Sequence, residues 1–140
     1  TPMQVIGVII IAFAVALETG MRKGEILGLQ PSDVSGAVAR LRMTKNGESR
    51  EVPLSKRARE LLAHLPFRVS TSTADAMFRD AVRRSGVIDV HFHDSRHTAA
   101  TRLARKLQLL ELCRMFGWKN PKQVMVYYNE SADEIAKRLG

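Results

Sequence analysis

The chain has 140 residues, 45% of them apolar and 26% charged, which suits one domain and excludes a disordered chain. Lys and Arg number 22 against 14 Asp and Glu, and the formal charge of +8 favours a polyanionic partner: DNA, RNA or an anionic membrane surface. The single cysteine, Cys113, excludes an internal disulfide framework and fits a reducing cytoplasm.

Val5 to Leu17 is almost wholly apolar, too short for a comfortable membrane span, and reads as a fully buried helix running from Met3 to Glu18. Gly20 breaks it. A short helix over Arg22 to Leu27 follows, with Gly28 at its end and Pro31 preventing continuation. Ser32 to Gly36 reads as loop. Ala37 to Thr44 alternates, with Arg40 and Arg42 on one face and Leu41 and Met43 on the other. Asn46-Gly47 is a two-residue hairpin turn, because both residues tolerate the positive φ of a type I′ turn. Ser49 to Leu54 returns as the second strand, so Lys45 sits at the tip of a basic β-hairpin.

Ser55 caps a helix through Leu65, ended by Pro66, with His64 at its surface or boundary. Thr73 to Ser85 carries Ala74, Met77, Phe78, Ala81 and Val82 at helical spacing, so Met77 and Phe78 are core. A helix opens near Asp94 and runs to about Lys106, and another spans Leu107 to Phe116, stopped by Gly117. Cys113 lies in an apolar run and reads as a small buried hydrophobe. Asn120-Pro121 starts a short helix holding Tyr127 and Tyr128. Ser131 to Glu134 is a capping box opening a last amphipathic helix, with Ile135 and Leu139 one turn apart. The expected fold is mainly α with a small antiparallel β-hairpin or sheet (α+β).

Breaking a phosphodiester without metal needs a nucleophile, cations on the non-bridging oxygens and an acid for the leaving oxygen. Arginine suits the second task, because it stays charged and presents a planar fork to phosphate. Arg22 lies at a Gly-flanked junction, and Arg96 lies three residues after His93 at a helix start. Either arginine alone is a weak signal, since a lone arginine there is usually surface.

Glu18 to Glu25 and His93 to Thr98 resemble the two signature boxes of the tyrosine recombinases, or phage integrases. Thr44 to Gly47 falls between them and resembles the hairpin bearing that family's catalytic lysine. Phe116-Gly117-Trp118 resembles a third element, and Tyr127 follows Trp118 by nine residues, the family's spacing for its nucleophile. Tyr127-Tyr128-Asn129 is similar to a tandem-tyrosine group of phage and prophage integrases. The resemblance covers nearly the whole chain.

The resemblance implies a DNA breaking-rejoining fold and a site-specific recombinase that cleaves and rejoins DNA through a 3′-phosphotyrosine, without metal, cofactor or ATP, for integration or excision of a phage or mobile element. Arg22 and Arg96 would clamp the scissile phosphate. Lys45 would protonate the departing 5′ oxygen. His93 would act as general base at the tyrosine on cleavage and as acid on religation. Trp118 would pack against the site and offer its indole N–H to a phosphate oxygen, and Tyr127 would attack. Adjacent helical residues point about 100° apart, so only one tyrosine can face the phosphate, and spacing favours Tyr127 over Tyr128. Three positions depart from the family pattern: Ser95 for Leu, Trp118 for the commoner His, and Phe116 for Leu. None removes an essential group. Residues 1–140 then form a catalytic domain, with the family's N-terminal core-binding and arm-binding domains outside this chain and DNA binding correspondingly weak.

Arg40, Arg42, Lys45 and Arg50 on the hairpin, and Arg102, Arg105 and Lys106 after the second box, are candidates to hold the DNA backbone. The final helix, 132–139, resembles the tail that family members lend to a neighbour in a synaptic tetramer; packing within its own chain is the plain alternative. Three other readings compete: a type IB topoisomerase-like strand transferase, a non-catalytic DNA-binding module, and a zinc hydrolase. The zinc reading rests on His93-x-x-x-His97, with only His91 and Cys113 as poor third ligands; otherwise His97 braces the site or the core.

Overall fold

The computed structural model describes residues 2–42 and 49–140. Lys45 and the Asn46-Gly47 turn lie outside the described residues. The order is α1 (Pro2–Thr19), α2 (Lys23–Gly28), β1 (Val34–Ser35), β2 (Val38–Leu41), β3 (Arg50–Pro53), α3 (Lys56–Leu62), α4 (Thr71–Ser85), α5 (Asp94–Leu103), α6 (Leu109–Phe116) and α7 (Ala132–Leu139). Short 3-10 turns at Pro31–Asp33, Pro121–Gln123 and Met125–Tyr127 complete the described chain. The expected α+β class holds.

Local chemistry sets most boundaries. Ser55, Ser70 and Ser131 each accept a backbone N–H with the side-chain oxygen, satisfying a donor that the first helical turn leaves unpaired. Gly86 and Gly117 take left-handed backbone at the ends of α4 and α6.

Helix α1 is the central element, packed by α2, α3, α4 and α5. It is not fully buried. Ile9, Ala12, Val15, Ala16 and Thr19 form the inward stripe, whereas Ile10 is 63% exposed and Ile6 also faces out. A helix apolar on every side carries no periodic signal for its inner face, and its neighbours cover only part of it. Phe13 meets Phe78 of α4 and Phe92 before α5, with ring centroids 5.2–5.4 Å apart among the three.

The sheet has the order β1-β2-β3 and is antiparallel throughout. Ala39 pairs with Val52 and Leu41 with Arg50, which puts Ala39, Leu41 and Val52 on the core face and Arg40 and Glu51 on the outer one. The stretch expected as loop, Ser32 to Gly36, contains β1: Val34 pairs with Ala39 and Ser35 with Val38. A two-residue strand is below the length at which alternation is visible in sequence. The core joins Val15 of α1, Ile26 of α2, Val52 of β3, Leu62 of α3 and Leu112 and Phe116 of α6. Each such apolar side chain contributes roughly 1.5–3 kcal/mol by leaving water.

Candidate active site

The site is assembled where the α1–α2 junction meets the end of α6. Thr19 is buried; its Oγ1 donates to the Val15 carbonyl (2.7 Å) and accepts the Met21 N–H (3.2 Å), turning the chain sharply. Gly20 sits at φ +71° against the Phe116 ring, and an added Cβ would fall 2.1–2.7 Å from three ring carbons. Only glycine satisfies both the backbone angle and the approach.

That closeness creates the seat of Arg96. Its Nη1 donates to the Gly20 carbonyl (2.8 Å) and its Nη2 to the Phe116 carbonyl (3.0 Å), tying α5 to both segments. The guanidinium carbon lies 5.3 Å from the ring centroids of both Phe116 and Trp118. Arg96 is 3% exposed. Burial, and then the nearby Arg22 charge, lower its pKa to about 10, so it remains a cation at neutral pH. A guanidinium has five N–H groups, and these two bonds leave others for an anion. Its neighbour Ser95 is also buried, and among the described residues its Oγ has no hydrogen-bond partner.

Arg22 precedes α2 and is more open, with its side chain 31% exposed. Its backbone N–H donates to Glu25 Oε1 (2.8 Å), and its Nη1 lies 3.6 Å from Glu25 Oε2. Glu25 in turn receives both ends of the Arg50 fork, at 2.5 and 2.9 Å, while Arg50 Nε donates to the Met115 carbonyl (3.1 Å). Burial pushes the Glu25 carboxyl up, but the Arg50 bonds, the Arg22 N–H and both positive charges outweigh it and hold it below the usual value. Three guanidiniums surrounding one carboxylate leave a positive surplus, and Arg22, Arg50 and Arg96 all feel one another.

Tyr127 ends the Met125–Tyr127 turn and is half-buried. Its ring stacks on Trp118, 8° from parallel with centroids 6.1 Å apart. Its Oη lies 2.6 Å from His97 Nδ1. Burial raises the phenol pKa and the Arg96 charge lowers it, with burial prevailing. Tyr128 points elsewhere: its hydroxyl donates to the Leu107 carbonyl (2.8 Å). His93 stands one turn before His97, with ring centroids 6.1 Å apart. Burial, then Arg96, His97 and Arg22, lower its pKa, so it is neutral near pH 7.

Arg22, His93, Arg96, Trp118 and Tyr127 are thus brought together, and Lys45 lies outside the described residues. Two candidate DNA contacts need correction. Arg50 is 8% exposed and engaged by Glu25 rather than free for phosphate. It pairs with Leu41 and shares the parity of Val52, so strand alternation turns it inward. Arg102 is half-buried and donates to the Leu17 carbonyl (2.7 Å), bracing the end of α1. Arg40 and Arg42 are exposed on the outer face of the sheet, Arg40 4.0 Å from Glu51 and Arg42 3.1 Å from Asp33. Arg105 and Lys106 are exposed after α5. Among the described residues no group of three His, Cys, Asp or Glu could hold a metal ion. Sequence reasoning missed the Glu25–Arg50 pair and the contact of His97 with the tyrosine. Alternation along β3 was the available signal for Arg50; nothing in the sequence marked His97 as a partner of Tyr127.

The phage integrase family model matches residues 8–69 and 64–134. The shufflon-specific DNA recombinase of Escherichia coli is 36% identical over 140 residues, covering 92% of this chain and 36% of that protein. Tyrosine recombinase XerA of Saccharolobus solfataricus is 28% identical over 137 residues, covering 85% of this chain and 45% of that protein. The chain spans less than half the length of either relative. Among solved structures, the catalytic domain of bacteriophage HP1 integrase superposes with a TM-score of 0.71 at 24% identity, over 92% of this chain and 79% of that one. The Tn1549 transposon integrase, solved in complex with a circular intermediate DNA, gives 0.74 at 18% identity, over 92% and 57%. With its site geometry, fold and sequence in agreement, the chain belongs to the phage integrase family, the tyrosine recombinases.

Proposed function

We propose that this chain is the catalytic domain of a site-specific DNA recombinase that cleaves and rejoins strands through a 3′-phosphotyrosine, serving integration or excision of a phage or mobile element in the cytoplasm. The observation that carries the reading is the convergence of the buried Arg96, the more open Arg22 and the Tyr127 hydroxyl in one basic pocket, while the Tyr128 hydroxyl is bound to a backbone carbonyl.

Tyr127 Oη attacks phosphorus. Charge builds on the two non-bridging oxygens, where Arg22 and the free edge of Arg96 hold it. Both are fixed before substrate arrives: Arg96 by two carbonyls, Arg22 by the helix start and Glu25. Fixed donors in a water-poor seat need no reorganisation during reaction, so the step as proposed needs no metal ion. Trp118, stacked between Tyr127 and Arg96, sets the phenol plane and offers its indole N–H to the phosphate. Lys45 protonates the 5′ oxygen, and neutral His93 serves proton transfer on the tyrosine side. The phosphotyrosine retains the energy of the broken ester, so attack by a 5′ hydroxyl reseals the strand without ATP.

Double-stranded DNA lies along the face bearing Arg40, Arg42 and Lys45, with Arg105 and Lys106 beyond. Helix α7, exposed along its whole length with Ile135 and Leu139 on one side, docks on a neighbouring copy in a synaptic tetramer.

A nicked suicide duplex that traps the covalent product, incubated in EDTA, tests the reading. An SDS-stable protein–DNA band with wild type and Tyr128→Phe, absent with Tyr127→Phe, is expected. A band surviving Tyr127→Phe, or one abolished by EDTA, contradicts it.

A further inference from the structure

We propose that His97 is a catalytic residue of strand cleavage: its Nδ1 holds the Tyr127 hydroxyl and takes the hydroxyl proton as the phenol oxygen bonds phosphorus. The inference rests on the reading of Tyr127 as nucleophile.

The observation is the 2.6 Å contact between His97 Nδ1 and Tyr127 Oη. A neutral imidazole has one N–H and one acceptor nitrogen. With the phenol O–H donating to Nδ1, the hydrogen sits on Nε2, and Nδ1 is the base nearest the proton that must leave. A general base has to reach that proton within about 2.6–3.2 Å. His97 meets this requirement before substrate binds. His93 stands one turn back, with its ring 6.1 Å from that of His97, and the described contacts do not bring it to the hydroxyl.

The surroundings fit this division of labour. The Tyr127 ring lies between two partners: Trp118 stacked on it, and His97 with its centroid 6.3 Å away. Trp118 fixes the plane of the phenol and His97 fixes the direction of its O–H. The charged groups on this side are Arg96, from the same helix as His97, and Arg22 from the α1–α2 junction. The near carboxylate on α5, Asp94, accepts the His91 N–H at 2.7 Å. His93 is adjacent to both arginines and to His97, which suits it to the phosphate side of the pocket.

The step balances. The Tyr127 O–H bond breaks with its proton going to His97 Nδ1, the Oη–P bond forms, the P–O5′ bond breaks, and the 5′ oxygen takes a proton from Lys45. On religation the His97 imidazolium returns its proton to the departing phenolate oxygen, and Lys45 takes the proton of the attacking 5′ hydroxyl.

Single-turnover cleavage of the nicked suicide duplex from pH 6 to 9 tests the inference, with wild type, His97→Ala, His97→Gln and Tyr127→Phe. His97→Gln keeps a hydrogen-bond acceptor but cannot serve as a base near neutral pH. Both His97 variants are expected to cleave on the order of 10²-fold more slowly at pH 7, with the deficit shrinking toward pH 9 as hydroxide replaces the imidazole. A wild-type rate and pH profile in His97→Ala overturns the inference, and so does full rescue by His97→Gln, which would reduce His97 to positioning. Covalent product from Tyr127→Phe would instead overturn the reading of the nucleophile. If no protein cleaves, the ring-nitrogen NMR signals of His97 decide. An unprotonated Nδ1 that shifts in Tyr127→Phe supports the inference, and a hydrogen on Nδ1 overturns it.

Discussion

Residues 117–128 and residues 131–139 are both short, both begin at a side-chain cap and both stand next to the reactive tyrosine, yet they are held in opposite ways. The first segment is tied down at nearly every step. Gly117 turns left-handed, the Trp118 N–H reaches the Cys113 carbonyl (2.9 Å), Val124 is buried, and the two tyrosine hydroxyls reach α5 and the α5–α6 loop. The second is a well-formed helix with a Ser131 cap, acidic residues in its first turn and basic ones in its last, and every residue from 129 to 140 is exposed. Leu139 is 82% exposed. The lesson is that local chemistry suffices to form an element, but only tertiary partners give it a place. Chemistry that demands a fixed nucleophile is built on the first kind of segment, and assembly can use the second.

Breaking the fixed side should cost most. Glu25→Ala leaves the buried Arg50 guanidinium without its carboxylate, and a loss of about 3 kcal/mol in denaturant unfolding is expected. The same pair sets an acid limit. A carboxyl held below its ordinary 4.5 in the folded state adds stability that is complete above that pH. That stability drains away as pH falls through the lower folded value. Wild type should therefore weaken below about pH 4.5, and Glu25→Ala should lack that part of the slope.

Arg96→Lys keeps a charge but cannot reach the Gly20 and Phe116 carbonyls and a phosphate together. Cleavage of the suicide duplex should fall on the order of 10²–10³-fold, with DNA binding in gel shift reduced far less. Equal loss of binding and cleavage would mean that Arg96 serves affinity rather than the transition state.

Ser95→Ala sharpens the comparison from within the tied region. Removing a buried hydroxyl that has no described partner should leave stability unchanged or raise it by up to about 1 kcal/mol in thermal unfolding. Leu139→Ser probes the untied side and should be smallest for the monomer, within about 0.5 kcal/mol. It should nonetheless weaken concentration-dependent association on DNA in sedimentation, which truncating a helix packed in its own chain would not do.

The sequence was informative where a residue's role is written in its immediate neighbours. Gly20 beside Arg22, the Asp94 helix start beside Arg96, and the Ser131 capping box all sit where the local pattern put them. It was silent where the partner comes from far along the chain. Arg50 looked like one more cation on a basic hairpin, because Glu25, its partner, is 25 residues away and the inward parity of β3 had to be taken seriously against its charge. Arg102 was misjudged for the same reason, its acceptor being the carbonyl of Leu17. The face of α1 was unreadable because the helix is apolar all round, so that Ile10 and Val15 look alike in sequence and only the packing of α3, α4 and α5 separates them. The preference for Tyr127 over Tyr128 came from spacing alone, and the two hydroxyl partners now give it a physical basis.

The central claim is that Tyr127 forms the covalent bond to DNA, and mass spectrometry of the trapped complex tests it most directly. Trypsin should release the peptide from Gln123 to Lys137, which contains both tyrosines. Fragment ions placing the nucleotide phosphate on Tyr127, with Tyr128 unmodified, are the predicted result. A phosphate on Tyr128, or a trapped peptide from elsewhere in the chain, would contradict the account.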